Sequence, residues 1–278
     1  MSRLRREQNL RRLQESLEEY GRAQGIAAPH SPPPEAEALS QSLFLAHSTP
    51  DGKFPAICRS NQLLSPAGLA RARGRHLRPD SAEAVLGTGE FVFLYAAPFR
   101  FPATGCGLLF AASLEDGYRE DGASTPFDSG GLVNVFSRPD PNEPARTFQA
   151  RHELPIPEHR DYLRQAMLLL FDRPLDYVEG GDPVWPGPIG VSGGDRRRWT
   201  HEVRIPERVH VRSAHLQAVF ARTALVGCDA AVENLCRWCD QHGMEVVTFD
   251  MPRGDDFETL QRECIAYIRQ KLLPSPRP

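Results

Sequence analysis

The 278-residue sequence predicts an α+β fold, on three observations. Residues 91–97 (FVFLYAA) form a short apolar run closed by Pro98, the signature of a buried strand. The C-terminal third alternates strand-like runs with amphipathic helical spacing. Apolar residues make up 40% and charged residues 25%, with a mean hydropathy of -0.43, as expected of a soluble globular chain with a sizeable core.

The elements follow in order. Residues 1–24 carry Leu4, Leu10, Leu13, Leu17 and Tyr20 at helical spacing, and six arginines against four glutamates. They predict one exposed amphipathic helix, a surface helix or an arm that docks a partner protein, with an Arg-rich nucleic-acid arm as the alternative. Residues 25–40, with Pro29, Pro32, Pro33 and Pro34, read as an extended linker. Residues 41–278 are then the globular domain. Within it, residues 42–48 (SLFLAHS) are a candidate strand, and residues 54–64 a short helix with Phe54, Ile57 and Leu64 inward. Residues 107–112 suggest another strand. Residues 115–160, rich in Gly, Pro, Asp and Ser, read as a long loop or insertion. A helix is expected over 157–171, loop over 179–195, and strand, turn, strand over 199–211. The end reads as strand 223–228, helix 230–242 closed by Gly243, strand 245–249 and helix 255–273.

Charge excludes some functions. With 33 basic and 36 acidic residues the net charge is -3, so wholesale coating of nucleic acid is not expected. Lys53 and Lys271 are the only lysines. No run approaches the roughly 20 apolar residues of a membrane helix. The charged N-terminus lacks the apolar core of a secretory signal. Six irregularly spaced cysteines do not make a disulfide scaffold. A cytoplasmic, reduced protein is expected. Cys236 and Cys239 share a helical stripe with Val232 and Leu235, so they read as core and not as zinc ligands. No glycine pair has the spacing of a dinucleotide or phosphate loop, and no nucleophile elbow is present.

Three polar residues on separate strands remain: His47 at the end of the first, Tyr95 inside an apolar one, and Glu202 in Trp199-Thr-His-Glu-Val-Arg-Ile-Pro206. Singly, each has a structural explanation. Together, three stretches resemble the His-Tyr-Glu class of ADP-ribosyltransferases, most of all the bacterial toxins that modify DNA bases. They are Leu45-Ala-His47-Ser-Thr with the following Phe54-Pro-Ala-Ile57 and Leu64, the run Phe91-Val-Phe-Leu-Tyr95-Ala-Ala-Pro98, and His201-Glu202-Val-Arg-Ile-Pro206. The resemblance spans roughly residues 42–250, and Ser124-Thr-Pro-Phe-Asp-Ser-Gly-Gly131 lies outside its pattern.

The resemblance implies a split, mixed or antiparallel sheet with flanking helices, and NAD as co-substrate. It implies that Glu202 stabilises the cation formed at the ribose when nicotinamide departs, that His47 donates to a ribose hydroxyl with help from Ser48 or Thr49, and that Tyr95 stacks on nicotinamide. Residues 196–215 carry six arginines and two glutamates, so Arg198 is a candidate for gripping pyrophosphate or a nucleic-acid backbone. The acceptor is a macromolecule, nucleic acid or protein, and a toxin or defence role is implied. Two alternatives stand beside this reading: an NAD glycohydrolase or NAD-dependent RNA 2′-phosphotransferase, and a non-catalytic interaction protein on a degenerate transferase fold.

Overall fold

The computed structural model describes residues 3–26, 36, 39–41, 43–96, 105–184, 189–192, 196–250 and 258–272. Most of the linker read over 25–40, and Pro98, lie outside the described residues. The fold is α+β. Seven strands form one sheet: β1 (Leu45–Thr49), β3 (Phe91–Ala96), β4 (Cys106–Phe110), β5 (Ala123–Thr125), β6 (Glu202–Pro206), β8 (Leu216–Arg222) and β9 (Glu245–Phe249). Their spatial order is β5-β6-β3-β1-β4-β8-β9, antiparallel except for the parallel pair β8-β9. Two short strands, β2 (Gln62–Leu64) and β7 (Arg208–His210), pair separately.

The centre of the sheet explains the site. β1 pairs with β4 along all five residues, but with β3 only at Leu45↔Ala96 and Ala46↔Tyr95. The sheet therefore opens between β1 and β3 at His47. An opened ladder leaves backbone groups needing partners. The His47 ring supplies one, 3.0 Å from the Phe93 carbonyl. At the other end of β1, Gly105 has φ +146° and lies so close that an added Cβ would stand 2.1 Å from the Thr49 carbonyl. Only glycine fits there.

Helices cover the sheet. The apolar face of α7 (His159–Leu170) buries Tyr162, Leu163, Ala166 and Met167. Against it packs α1 (Arg3–Ala23), whose Leu10, Leu13 and Leu17 belong to the same hydrophobic core. This corrects the expectation of an exposed helix: the stripe read as a partner surface is covered by the protein's own α7. The polar side of α1 is also engaged. Asn9 donates to the carbonyls of Ala150 and Glu153, both at 3.0 Å, and Arg12 to that of Arg151. These carbonyls belong to the C-terminal end of α6 (Ala145–His152), where a helix leaves acceptors unpaired.

Three further expectations change. Residues 115–160 are not an excursion from the fold. They carry a 3-10 turn (Ala112–Tyr118), the edge strand β5, α5 (Gly131–Asn134) and α6, and they bury Phe127, Phe148, Leu154 and Ile156. Residues 223–228 are helix α9 (Thr223–Cys228), and the strand lies just before, in β8. β9 ends opposite Arg222 and β4 is already passed, so beyond Arg222 the chain has no strand to pair with. The helix expected over 54–64 stops as α2 (Phe54–Ser60). β2 follows it, and strand alternation turns Leu63, not Leu64, into the core. The C-terminal pattern is as read: α10 (Ala230–Gln241) buries Val232, Leu235, Cys236 and Cys239, and α11 (Glu258–Leu272) buries Leu260, Cys264 and Ile268.

Candidate active site

Glu202 opens β6 and stands directly opposite Tyr95 of β3, with Thr125 of β5 on its other side. Directly paired residues of antiparallel strands project to the same face, so the Tyr95 and Glu202 side chains are neighbours. The loop after β5 closes over the carboxylate. The Ser129 hydroxyl donates to Oε1 at 2.7 Å and its backbone N–H to Oε2 at 3.1 Å. The loop is held by Asp128, whose N–H donates to the Arg197 carbonyl at 3.0 Å and whose carboxylate lies 3.7 Å from the Arg197 guanidinium.

Glu202 is fully buried. Burial pushes its carboxyl up to about 8, and the neighbouring Asp128 charge adds to the rise; Arg204 and the two Ser129 hydrogen bonds oppose it. Burial also raises the Tyr95 phenol well above its ordinary value, reinforced by Asp128 and Glu202, so it stays protonated. Burial lowers the His47 imidazole, against the opposing pull of its bond to Phe93. A carbonyl only accepts, so His47 Nδ1 carries the proton, and the neutral ring is left with Nε2 as an acceptor. His47 is thus set to accept from a hydroxyl, the reverse of the donor role that the resemblance implied.

Two spaces receive these side chains. A small compartment of about 70 Å³ is lined by Glu202, Tyr95, Ser129, Asp128, Phe93 and Thr88 among others. A larger cleft of about 570 Å³ is lined by His47, Ser48, Thr49, Lys53, Gln62 and Arg73 among others. Glu83, on α4 (Ala82–Leu86), is the one residue common to both linings, and neither space is lined by His47, Tyr95 and Glu202 together. The Thr88 hydroxyl is buried at the wall of the small compartment without a hydrogen-bond partner.

Of the residues singled out in the sequence, His47, Ser48, Thr49, Tyr95 and Glu202 come to these two spaces. Arg198 does not. Its guanidinium lies 3.8 Å over the Trp199 ring, and it lines a separate pocket of about 30 Å³ beside Tyr162 and Tyr177. No group of His, Cys, Asp and Glu among the described residues is arranged to hold a metal ion.

No protein-family model matches the chain, and no curated protein does. Solved structures do. DarT of Thermus sp. 2.9 in complex with NAD+ is 13% identical, with a TM-score of 0.42 over 74% of this chain and 95% of that one. The same protein in complex with ADP-ribosylated single-stranded DNA is 12% identical, with a TM-score of 0.42 over 74% and 94%. Its complex with carba-NAD+ is 12% identical, with a TM-score of 0.41 over 74% and 95%.

Sequence reasoning missed Ser129, Asp128, Thr88, Glu83, Lys53 and Arg73. The run Asp128-Ser-Gly-Gly131 was a visible polar, glycine-rich signal. Its tight packing is real: a Cβ on Gly131 would stand 2.3 Å from the Phe136 ring. What the run touches, 73 residues away, leaves no mark in local spacing.

Proposed function

We propose that the protein is an NAD-dependent ADP-ribosyltransferase acting on a macromolecular acceptor. The observation that carries this reading is the pairing of Tyr95 with Glu202 in one small compartment that shares Glu83 with the lining of the His47 cleft. NAD fits the residues present. The orphaned Thr88 hydroxyl suits the carboxamide of nicotinamide, the Tyr95 ring suits its face, and His47 Nε2 accepts from a ribose hydroxyl. Lys53 and Arg73 offer the larger cleft positive charge for a pyrophosphate.

NAD supplies the glycosidic bond that breaks, with positive charge developing at the ribose carbon as nicotinamide leaves. Glu202 stabilises that charge only as an anion, because fixed negative charge beside a developing cation is where such sites gain most. With its carboxyl near 8, the ionised fraction, and with it the rate, rises from neutral pH through pH 8. Ser129 holds both carboxylate oxygens, so the anion needs little reorganisation when it forms.

The acceptor we favour is nucleic acid. Arg73, at the cleft, begins an exposed basic turn that continues through Arg75, His76 and Arg78. Transfer to nucleic acid would make the protein a toxin or defence effector. It would act in the cytoplasm, a setting that suits six cysteines all free of disulfides. No described helix is long and apolar enough to cross a membrane.

The test is nicotinamide release from NAD, with and without single-stranded DNA, RNA or lysate protein. Glu202→Gln keeps the shape and loses the charge, so release should fall by about 10²–10³-fold with NAD binding retained. Free ADP-ribose as sole product would turn the reading into NAD hydrolysis. If wild type and Glu202→Gln both bind NAD and are equally inert with every acceptor, the interaction-protein reading takes its place.

A further inference from the structure

Four buried charges run from the N-terminal helix to Glu202. Arg6 of α1 donates from Nε to Glu153 Oε1 at 3.0 Å, and the other Glu153 oxygen lies 3.2 Å from an Arg204 terminal nitrogen. Arg204 Nε lies 3.6 Å from Glu202 Oε1. None of the four is more than 8% exposed. Arg6 is itself anchored, donating to the carbonyls of Gly122 and Glu120 just ahead of β5. A side chain on Gly122 would meet the Tyr118 carbonyl at 2.8 Å and the Arg204 carbonyl at 3.1 Å, so the anchor sits tight against β6.

Arg204 is the loosely held member of this chain. Its Nε and one terminal nitrogen are buried without a hydrogen bond of good geometry, so on that side it is held by charge alone, between two carboxylates. How it is shared depends on what else Glu153 holds. With Arg6 in place, one Glu153 oxygen is occupied and its charge is largely balanced. Without Arg6, Arg204 is the ion-pair partner left to Glu153 among the described residues, and Glu153 draws it away from Glu202.

We propose that Arg6 is a positioning residue for Glu202, acting through Glu153 and Arg204, so that docking of the N-terminal helix is part of the active site. The proposal rests on the reading of Glu202 as the catalytic carboxylate. The other charged or titratable groups around Glu202 lie elsewhere: Tyr95 on β3, Asp128 on the loop after β5, Arg197 behind Asp128, and Glu83 across the compartment. None of these is a partner of Arg6.

The relay makes a prediction of opposite signs that packing alone does not. In full-length protein with ¹³C-carboxyl glutamate, the Glu202 resonance is assigned by its loss in Glu202→Gln and then titrated. Arg6→Gln removes a cation and should move the midpoint up, by about threefold or more in proton affinity. Glu153→Gln removes an anion, frees Arg204 for Glu202 and should move it down. Arg6→Lys should return it most of the way. Leu13→Ala loosens the apolar stripe of α1 and should lower Tm while leaving the midpoint in place. In the pH profile of nicotinamide release, Arg6→Gln should shift the rising limb alkaline with KM for NAD unchanged. Equal midpoints in Arg6→Gln and wild type, or shifts of the same sign in Arg6→Gln and Glu153→Gln, would overturn the relay. Because the titration needs no turnover, a wild type that never releases nicotinamide would sink the functional reading while the midpoints still judge the relay.

Discussion

Among the buried carboxylates of the described residues, Glu115 and Glu202 are shifted in opposite directions. Glu115, in the 3-10 turn before β5, lies 2.8 Å from His159 Nε2 and 2.9 Å from Arg160 Nε. Burial alone would raise it, but His159 and Arg160 outweigh burial and hold its carboxyl at about 2. Glu202 is as deeply buried, yet the nearest cation, Arg204, stands at 3.6 Å and Asp128 opposes it, so it rises to about 8. The difference teaches what each is for. A carboxylate with a full set of cations is a strut. One held by a serine, short of positive charge and beside a cavity, is what the proposed role of Glu202 requires.

The largest expected effect tests the strut. Arg160 also donates to the Leu43 carbonyl at 2.7 Å, so Glu115 ties the 3-10 turn to α7 and to the segment leading into β1. Glu115→Gln leaves a buried guanidinium with no counter-ion and should cost about 3–5 kcal/mol in urea unfolding at neutral pH. The pH sense follows from the lowered carboxyl. Its contribution is complete above the ordinary carboxylate range and is lost as pH falls toward 2. The variant should therefore lose the acid-dependent part of the stability curve. An unchanged acid limb would break the contrast.

Glu202→Gln should act in the other direction. The folded state holds a proton on Glu202 up to about pH 8, whereas the unfolded chain releases it near the ordinary 4.5. Stability from this group is present at low pH and declines as pH rises through 8. Replacing it by glutamine removes that decline: the Ser129 hydroxyl is free to rotate toward the new amide, and no charge has to form in the core. Tm of the variant should match wild type below about pH 4.5 and exceed it increasingly up to about pH 8. A variant less stable than wild type at every pH would make Glu202 a second strut.

How far such a site is legible depends on the range of the interactions that build it. Tyr95 stood out because it interrupts an apolar strand. His47, expected at a strand end, lies in the middle of β1, and Glu202 opens β6, so what grouped the three was the resemblance and not local spacing. The cysteine stripe of α10 was visible because its period is carried by four residues within one helix. Ser129 was not, because its hydrogen bonds to Glu202 cross 73 residues, and local spacing is silent about partners that far away. The role of α1 was misread on similar grounds. Amphipathic spacing says that Leu10, Leu13 and Leu17 need a partner, not whether that partner is another protein or α7. Arg198 failed differently: its charge attracted attention, while Trp199 beside it, which takes the guanidinium on its ring, was the better guide.

The smallest expected effect tests how closely Glu202 is tuned. Ser129→Ala removes the 2.7 Å hydroxyl bond to Oε1 and keeps the backbone bond to Oε2, so the carboxylate should keep its place and lose one donor. A donor to the charged form favours ionisation, and its loss should raise the carboxyl further, by about one pH unit. Nicotinamide release at pH 7 should then fall by about tenfold, as the ionised fraction falls. Well above both midpoints, where each carboxyl is ionised, the two rates should converge. Ser129→Thr, which restores a hydroxyl, should return the limb toward wild type. A rate lowered by the same factor at every pH would mean that Ser129 shapes the compartment and does not set the charge of Glu202.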